Sequence, residues 1–466
     1  MIERIGNLFT DIYRKSMPDA FVFALLLTII TAVAALWAMP VDMIDILKGW
    51  YDGFWLLLEF GMQMVLLVIT GYSIALSPFL SQQIDRLGRA VSKPWQVYLF
   101  VTLSGTLLCM VSWGWIIIPA VIGRELALRV KGVHYPYLIA CVYCSFIGWV
   151  TGLSSSIPLL LNTEGNFIIE AGILEETVDT GLTLGSGLNL VMIILIVLLT
   201  PAIMFLLRPR QSRGKELPEL LDKRQGALKE TSIREEADAM SMPEPVFSDR
   251  LNNSILLQAL IALAGLSYIS WHFYNRGADL NLNIMIFIFL MLGMLLHQTP
   301  LRYGIAMKRA SSNVSAILFQ FPFYAGIMGI MINTGLADRF AQLLATFASQ
   351  ENFAGYAFVT GGLVNFAIPS AGGEFAVIGP SILNAVKAMA EAQGGPSANA
   401  MIARSAMAIA YGESLSNLLQ PFFLLLVIPV MAKGISIQAR DIMGYLIVPF
   451  LLFFIIQFSL VMFWPL

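Results

Sequence analysis

The chain has 466 residues, 58% of them hydrophobic and only 12% charged. A soluble domain would be about a quarter charged, so this composition describes a polytopic membrane protein. The net charge of -2 offers no basic excess and excludes a nucleic-acid partner.

Apolar runs of spanning length occur at about 18–38, 53–77, 135–161, 187–207, 251–273, 282–298, 311–333, 401–431 and 443–464. That predicts an all-α protein with about nine spans. The first run follows Arg4, Arg14 and Lys15 without a cleavage pattern, and reads as a retained first span. Two further apolar blocks, 95–130 and 355–390, are interrupted, the first at Ser112–Trp115 and the second at Ile368–Glu374. Each is too short for two spans and a loop, and suits a re-entrant helical hairpin.

Charge sets the orientation. With a cytoplasmic N-terminus and two re-entrant hairpins, only Lys48, Arg276, Arg339, Lys387 and Arg404 of the 28 Lys and Arg fall outside. The loop 162–186 carries Glu164, Glu170, Glu175, Glu176 and Asp179 without a Lys or Arg, and falls outside. The C-terminus is then periplasmic. The segment 209–250 is the one long polar stretch, with mixed charge and Pro218, Pro243 and Pro245. It reads as a cytoplasmic linker between 1–208 and 251–466, with docking as the less favoured role.

The halves look like copies. Ser104-Gly105 and Ala120–Gly123 recur as Thr360-Gly361 and Ala376–Gly379 at a constant offset. Gly152–Leu161 and Gly412–Pro421 both begin G-x-S-x-S inside an apolar run. The charge pattern makes the first hairpin open from the inside and the second from the outside, with span 251–273 inverting the second half. Inverted repeats with broken helices are the signature of secondary transporters.

Four breaks are expected to converge: Ser112–Trp115, Thr151–Pro158, Ser370–Glu374 and Gly412–Asn417. Half-helix N-termini there suit an anion, and free carbonyls and hydroxyls a small cation. The substrate-binding candidates are Ser112, Trp113, Gly114, Ser370, Ala371, Gly372, Gly373 and Glu374. The coupling-ion candidates are Ser154, Ser156, Asn365, Glu413, Ser414 and Asn417, which make Na⁺ a candidate ion. Small residues at such places also serve simple helix packing, the reading preferred for Gly148 and Gly362. Glu413 is the most informative position. A lone carboxylate in mid-span must pair with a cation, bind a metal ion or take up a proton. Glu374, at a hairpin tip, is expected to be wetter, and Glu59 to snorkel to the interface.

Cys109, Cys141 and Cys144 lie in apolar surroundings and read as packing thiols. His134 and His297 read as ordinary interface residues. No H-E-x-x-H, G-x-S-x-G or Walker loop is present, so neither a hydrolase nor an in-chain ATP motor is indicated.

Several stretches go further. Met17–Thr28, Gly53–Met64, Tyr135–Cys141, Phe319–Ile327, Asn365–Glu374 and Met407–Phe422 resemble the bacterial short-chain fatty acid transporter family, over essentially the whole chain. The resemblance implies an inner-membrane transporter of the ion-transporter superfamily, with a scaffold and a mobile hairpin domain, often homodimeric. It implies a short carboxylate such as butyrate or acetoacetate as solute, no cofactor and a lipid bilayer as surroundings. The tips depart from the family pattern. Gly-Gly-Gly-His-Trp is replaced by Ala371–Phe375, Asn-Trp-Gly by Ser112–Gly114, and a Gln-Trp pair by Ser414-Leu415. Expected, then, is H⁺- or Na⁺-coupled, elevator-like carriage of a short monocarboxylate. The alternatives are the same architecture carrying a dicarboxylate, amino acid or peptide, and an intramembrane lipid enzyme.

Overall fold

The computed structural model describes residues 20–465 apart from 57, 81, 84–85, 87–90, 112, 154, 163–165, 171, 211, 213, 222–231, 241–245, 278–281, 312–313, 337, 340–341, 343–345, 350, 370 and 394–397. Among the described residues every regular element is helical.

Each half opens with the same trio. In the first it is Ala20–Ala38 (α1), Met43–Gly53 (α2) and Leu58–Ala75 (α3). Asp42 caps α2, accepting from the Asp45 N–H at 2.9 Å, while Asp45 accepts from the Asp42 N–H at 3.2 Å. The first half continues with Pro94–Val111 (α4), a 3₁₀ turn at Trp113–Ile116 and Ile117–Arg129 (α5), which form the expected helix–break–helix. A broken span follows: Tyr135–Ser145 (α6), a 3₁₀ segment at Phe146–Thr151 and Ser156–Leu161 (α7). Gly187–Leu207 (α8) closes the half.

After Ile255–Arg276 (α9), the same order returns. Leu282–His297 (α10), Pro300–Ser311 (α11) and Ser315–Asn333 (α12) form the trio. Phe353–Val364 (α13) and Ala371–Gln393 (α14) flank a break. The second broken span is Ala398–Ser416 (α15), a 3₁₀ turn at Asn417–Leu419 and Leu424–Met431 (α16), bent by 43°. Ile447–Phe463 (α17) ends the fold.

Packing between the halves is reciprocal. α2 packs on α12 and α11 on α3; α1 lies along α12 and α10 along α3. Likewise α5 meets α16 and α14 meets α7 across the halves, and within each half α4 packs on α8 as α13 does on α17. Such pairing is what two copies related by a two-fold axis produce, and it extends the short letter matches to whole elements. The amphipathic α2 and α11 were not anticipated, because the search for apolar runs passes over helices whose polar face stays wet.

Among the described residues five helical stretches are long and apolar enough to cross a membrane alone: Pro94–Val111, Tyr135–Leu161, Gly187–Leu207, Phe247–Arg276 and Met443–Phe463. The bent pair Ala398–Leu419 and Leu424–Met431 makes a sixth. Four shorter apolar helices accompany them. The first arm of the 95–130 block is thus itself of spanning length. Buried fraction separates the roles. The Tyr135–Leu161 window is 88% buried inside the protein, whereas that of Phe247–Arg276 is 22% buried and presents most of its surface outward.

The polar segment after α8 is docked. The Tyr135 N–H donates to Lys215 O at 2.9 Å, and Leu217 is buried. The Gly132 N–H and then the Ser212 hydroxyl hold the Glu216 carboxyl below the usual carboxylate range. Farther on, Arg309 Nε donates to Glu236 Oε2 at 3.0 Å. The linker therefore touches α6 in one half and α11 in the other.

Two arginines cap helix ends. Arg124 donates from Nη1 to Met431 O and from Nη2 to Lys433 O, both at 2.9 Å. Arg404 donates from Nη1 to Pro465 O at 3.1 Å and from Nη2 to Val461 O at 2.7 Å. A cation at a helix C-terminus is favourable, and hydrogen bonds from charged groups contribute about 1.5–3 kcal/mol each. Arg404→Ala is therefore expected to lower the melting temperature in detergent, with Arg404→Lys falling between. Identical melting of Arg404→Ala and the parent would show that the cap contributes nothing.

Candidate functional site

Prolines and glycines put the breaks where they are. Gln420 precedes Pro421 and is extended, at φ -122° and ψ 148°, as a pre-proline residue prefers. At Gly152 an added Cβ would lie 1.8 Å from Met110 O, so only glycine lets the first broken span approach the end of α4. There the Leu153 N–H donates to Met110 O at 2.7 Å.

The four breaks meet, as expected from the sequence. The Tyr143 hydroxyl donates to Asn417 O at 2.8 Å and Gln420 O at 3.0 Å, and the Ser414 hydroxyl to Ile147 O at 3.0 Å. These bonds tie one broken span to the other. The Phe423 ring lies 5.0 Å from Phe146 and 6.3 Å from Trp113, which brings in the break between α4 and α5. The break between α13 and α14 enters through Asn365. Its Nδ2 faces Glu413 O at 3.0 Å, Ser416 Oγ at 2.7 Å and Asn417 Oδ1 at 2.9 Å. Gln420 Nε2 donates to Asn365 O at 3.2 Å and to Asn417 Oδ1 at 2.9 Å.

This network orients its amides and leaves an imbalance. With Asn365 Nδ2 and Gln420 Nε2 engaged, their oxygens Asn365 Oδ1 and Gln420 Oε1 are buried without a partner among the described residues. So are both carboxylate oxygens of Glu374 and both of Glu413. Among the described residues, Asn417 Nδ2 is the one unpaired donor of this network. Asn365, Glu374, Glu413 and Gln420 are each 0% exposed. Six acceptors facing one donor call for positive charge, because buried polar groups are normally partnered and a bare buried carboxylate is costly.

Of the substrate-binding candidates, Trp113 packs against Phe423, and Gly114 is buried in the adjoining 3₁₀ turn. Ala371, Gly372, Gly373 and Glu374 form the first turn of α14. Its N–H groups carry the partial positive charge that attracts an anion. Of the coupling-ion candidates, Asn365, Glu413 and Asn417 are joined by hydrogen bonds, while Ser414 spends its proton on Ile147. Ser156 starts α7, which packs against α14 and α15. Ser112, Ser154 and Ser370 lie outside the described residues.

Three findings differ from the sequence reading or add to it. Glu374 was expected to be wetter than Glu413, but both are fully buried, in helices α14 and α15 that pack against each other. His134 and His297 are buried within the protein. His134 Nδ1 accepts from the Tyr137 N–H, and His297 Nε2 lies 2.8 Å from Ser73 O. Tyr143, Ser155 and Gln420 were overlooked as site residues. Ser155 Oγ is buried without a partner among the described residues. The signal for Gln420 was an amide three residues after Asn417 in an apolar run; Tyr143 gave none. Glu59 is exposed, in keeping with snorkelling.

A cleft of about 390 Å³ opens elsewhere, lined by Arg404, Met407, Trp464 and Pro465 among others. Arg404 is nine residues from Glu413 on α15, about 14 Å along the helix. The cleft is therefore separate from the meeting of the breaks.

An all-helical membrane protein whose two related halves enclose a buried polar centre between broken helices belongs to the transporter class. Residues 1–464 match the family described as "Short chain fatty acid transporter". A protein of Escherichia coli (strain K12) whose name places it in that family is 35% identical over 450 residues, covering 96% of each chain. Another, from Haemophilus influenzae, is 32% identical over 452 residues, again covering 96% of each. The chain belongs to the short-chain fatty acid transporter family, and is a transport protein rather than an enzyme. Among solved structures, Neisseria gonorrhoeae MtrF, described within a class of antimetabolite efflux pumps, is 17% identical with a TM-score of 0.41, covering 96% of this chain and 95% of its own. The Alcanivorax borkumensis YdaH transporter is 15% identical with a TM-score of 0.37, covering 96% and 98%.

Proposed function

We propose that this protein carries short-chain monocarboxylates, such as butyrate or acetoacetate, across a bacterial inner membrane together with H⁺ or Na⁺. The observation that carries the reading is the excess of unpaired, buried acceptor oxygens where the four breaks meet. Glu413, Asn365 and Gln420 would hold the cation, and the first-turn N–H groups of α14 the substrate carboxylate. Trp113, Phe146 and Phe423 supply an aromatic wall suited to a short alkyl chain. The two hairpins would move against the opening trios in an elevator-like cycle, within a homodimer whose N-termini are cytoplasmic.

Coupling has an energetic purpose. An anion entering against an inside-negative potential costs about 2.3 kcal/mol per 100 mV, and one co-transported cation cancels that. A dicarboxylate would need a further basic group at the site. The two candidates, Arg124 and Arg404, are both engaged with backbone carbonyls at helix ends.

Uptake of labelled acetate, butyrate and acetoacetate into proteoliposomes, with Na⁺ and pH gradients imposed separately, tests this. One gradient should drive accumulation, and unlabelled monocarboxylates should compete where dicarboxylates, amino acids and peptides do not. No accumulation under either gradient, or preferential competition by another solute class, would sink the reading.

A further inference from the structure

We propose that Glu374 and Glu413 form one paired-carboxylate centre that takes two monovalent positive charges, protons or Na⁺ ions, for each monocarboxylate carried. The inference rests on the transport reading above and adds its charge stoichiometry.

The two carboxylates come from different elements, the first turn of α14 and the broken span; α14 packs on α15, and Asn365, nine residues before Glu374, bonds Glu413 O at 3.0 Å. All four of their oxygens are buried without a partner among the described residues. Among the described residues, the only Lys, Arg or His on these two helices are Lys387 and Arg404. Against α15 pack α13, α14, α17, α7 and the 3₁₀ segments Phe146–Thr151, Thr180–Leu182 and Asn417–Leu419. Apart from α14, none of these carries an Asp, Glu, Lys, Arg or His. The short helix Phe167–Glu170, which packs on α14, adds only Glu170. Lys387 on α14 is 13 residues from Glu374, about 20 Å along the helix, and donates to Gly172 O at 3.4 Å. Arg404 is held at the end of α17. Glu391 on α14 is 17 residues from Glu374, and the exposed Asp338 accepts from the Ser381 hydroxyl of α14; both add negative rather than positive charge, and Tyr356 and Tyr411 are neutral in their ordinary state.

Two adjacent carboxylates in a water-excluded site cannot both remain bare. The neighbouring Asn365 Oδ1 and Gln420 Oε1 add neutral acceptors and no charge. They point to a ligand independently of the acids, because an amide oxygen left unpaired in a protein interior lacks its normal donor or cation. Full neutralisation therefore needs two positive charges. One carboxylate substrate with two cations moves one net positive charge inward, so the membrane potential drives the cycle instead of being merely cancelled.

The test measures current and labelled butyrate uptake in the same proteoliposomes, with purified full-length protein. One net positive charge should enter per butyrate in the parent. In Glu374→Gln the charge moved per butyrate should fall by one, giving electroneutral transport. A parent that takes up butyrate without current, or a Glu374→Gln variant with an unchanged ratio, overturns the inference and leaves the transport reading standing. If Glu374→Gln carries nothing, or the parent carries no monocarboxylate, equilibrium binding decides. Labelled Na⁺ bound per chain, together with protons taken up from a weakly buffered solution, should total two in the parent and one in Glu374→Gln. Equal totals overturn the pairing.

Discussion

Glu413→Gln is expected to lower the steady-state accumulation of a short monocarboxylate by about 50-fold at an imposed potential of 100 mV. The figure follows from losing one coupled charge, about 2.3 kcal/mol at that potential, with about 1.4 kcal/mol per factor of ten. The amide keeps the shape of the side chain and removes its charge. The fold should survive, because both Glu413 carboxylate oxygens lack a protein partner among the described residues, and the hydrogen bonds at this position use its backbone carbonyl. Labelled uptake, normalised to the amount of protein in the vesicles, is the measurement. Unchanged accumulation would remove Glu413 from the coupling site.

The second large effect is structural. Gly412→Ala is expected to prevent assembly of the crossing between α13 and α15. A Cβ on Gly412 would sit 1.9 Å from Phe358 O, and one on Gly361 would sit 2.6 Å from Ile409 O. The obstacle is backbone on both sides, so no rotamer change relieves it and the helices must separate. Overpacking a core ordinarily costs about 1–3 kcal/mol, and a backbone clash exceeds that range. Separation would also pull Asn365 away from Glu413 and Asn417. Loss of a monodisperse peak in detergent is the expected readout. Gly372→Ala, with open space around its Cβ, should fold normally. Equal yields of both variants would refute the close crossing.

Much of the fold was legible in the sequence, for local reasons. Apolar runs mark the membrane helices, and Gly, Pro and Ser clusters mark the breaks, because each acts on the backbone where it stands. The repeat was visible in fragments such as Ala120–Gly123 and Ala376–Gly379. Its reciprocal packing was not, and neither were the amphipathic α2 and α11. Glu413 stood out because a carboxylate amid apolar residues is anomalous in one dimension. Glu374 stood out too, but with the wrong expected surroundings, since it is fully buried in α14, which packs against α15.

The sequence by itself determined that this is a polytopic helical membrane protein with repeated halves and four interrupted helices. Those features follow from hydropathy and backbone chemistry read residue by residue. Tertiary structure alone decided which polar atoms find partners. Asn365 spends its N–H groups on a segment 48 to 52 positions away, and Gln420 one of its own on Asn365, 55 positions away, which leaves their oxygens, with those of Glu374 and Glu413, as unpaired acceptors among the described residues. Hydrogen-bond satisfaction is settled by which segments meet in space, and no pattern along one stretch records it.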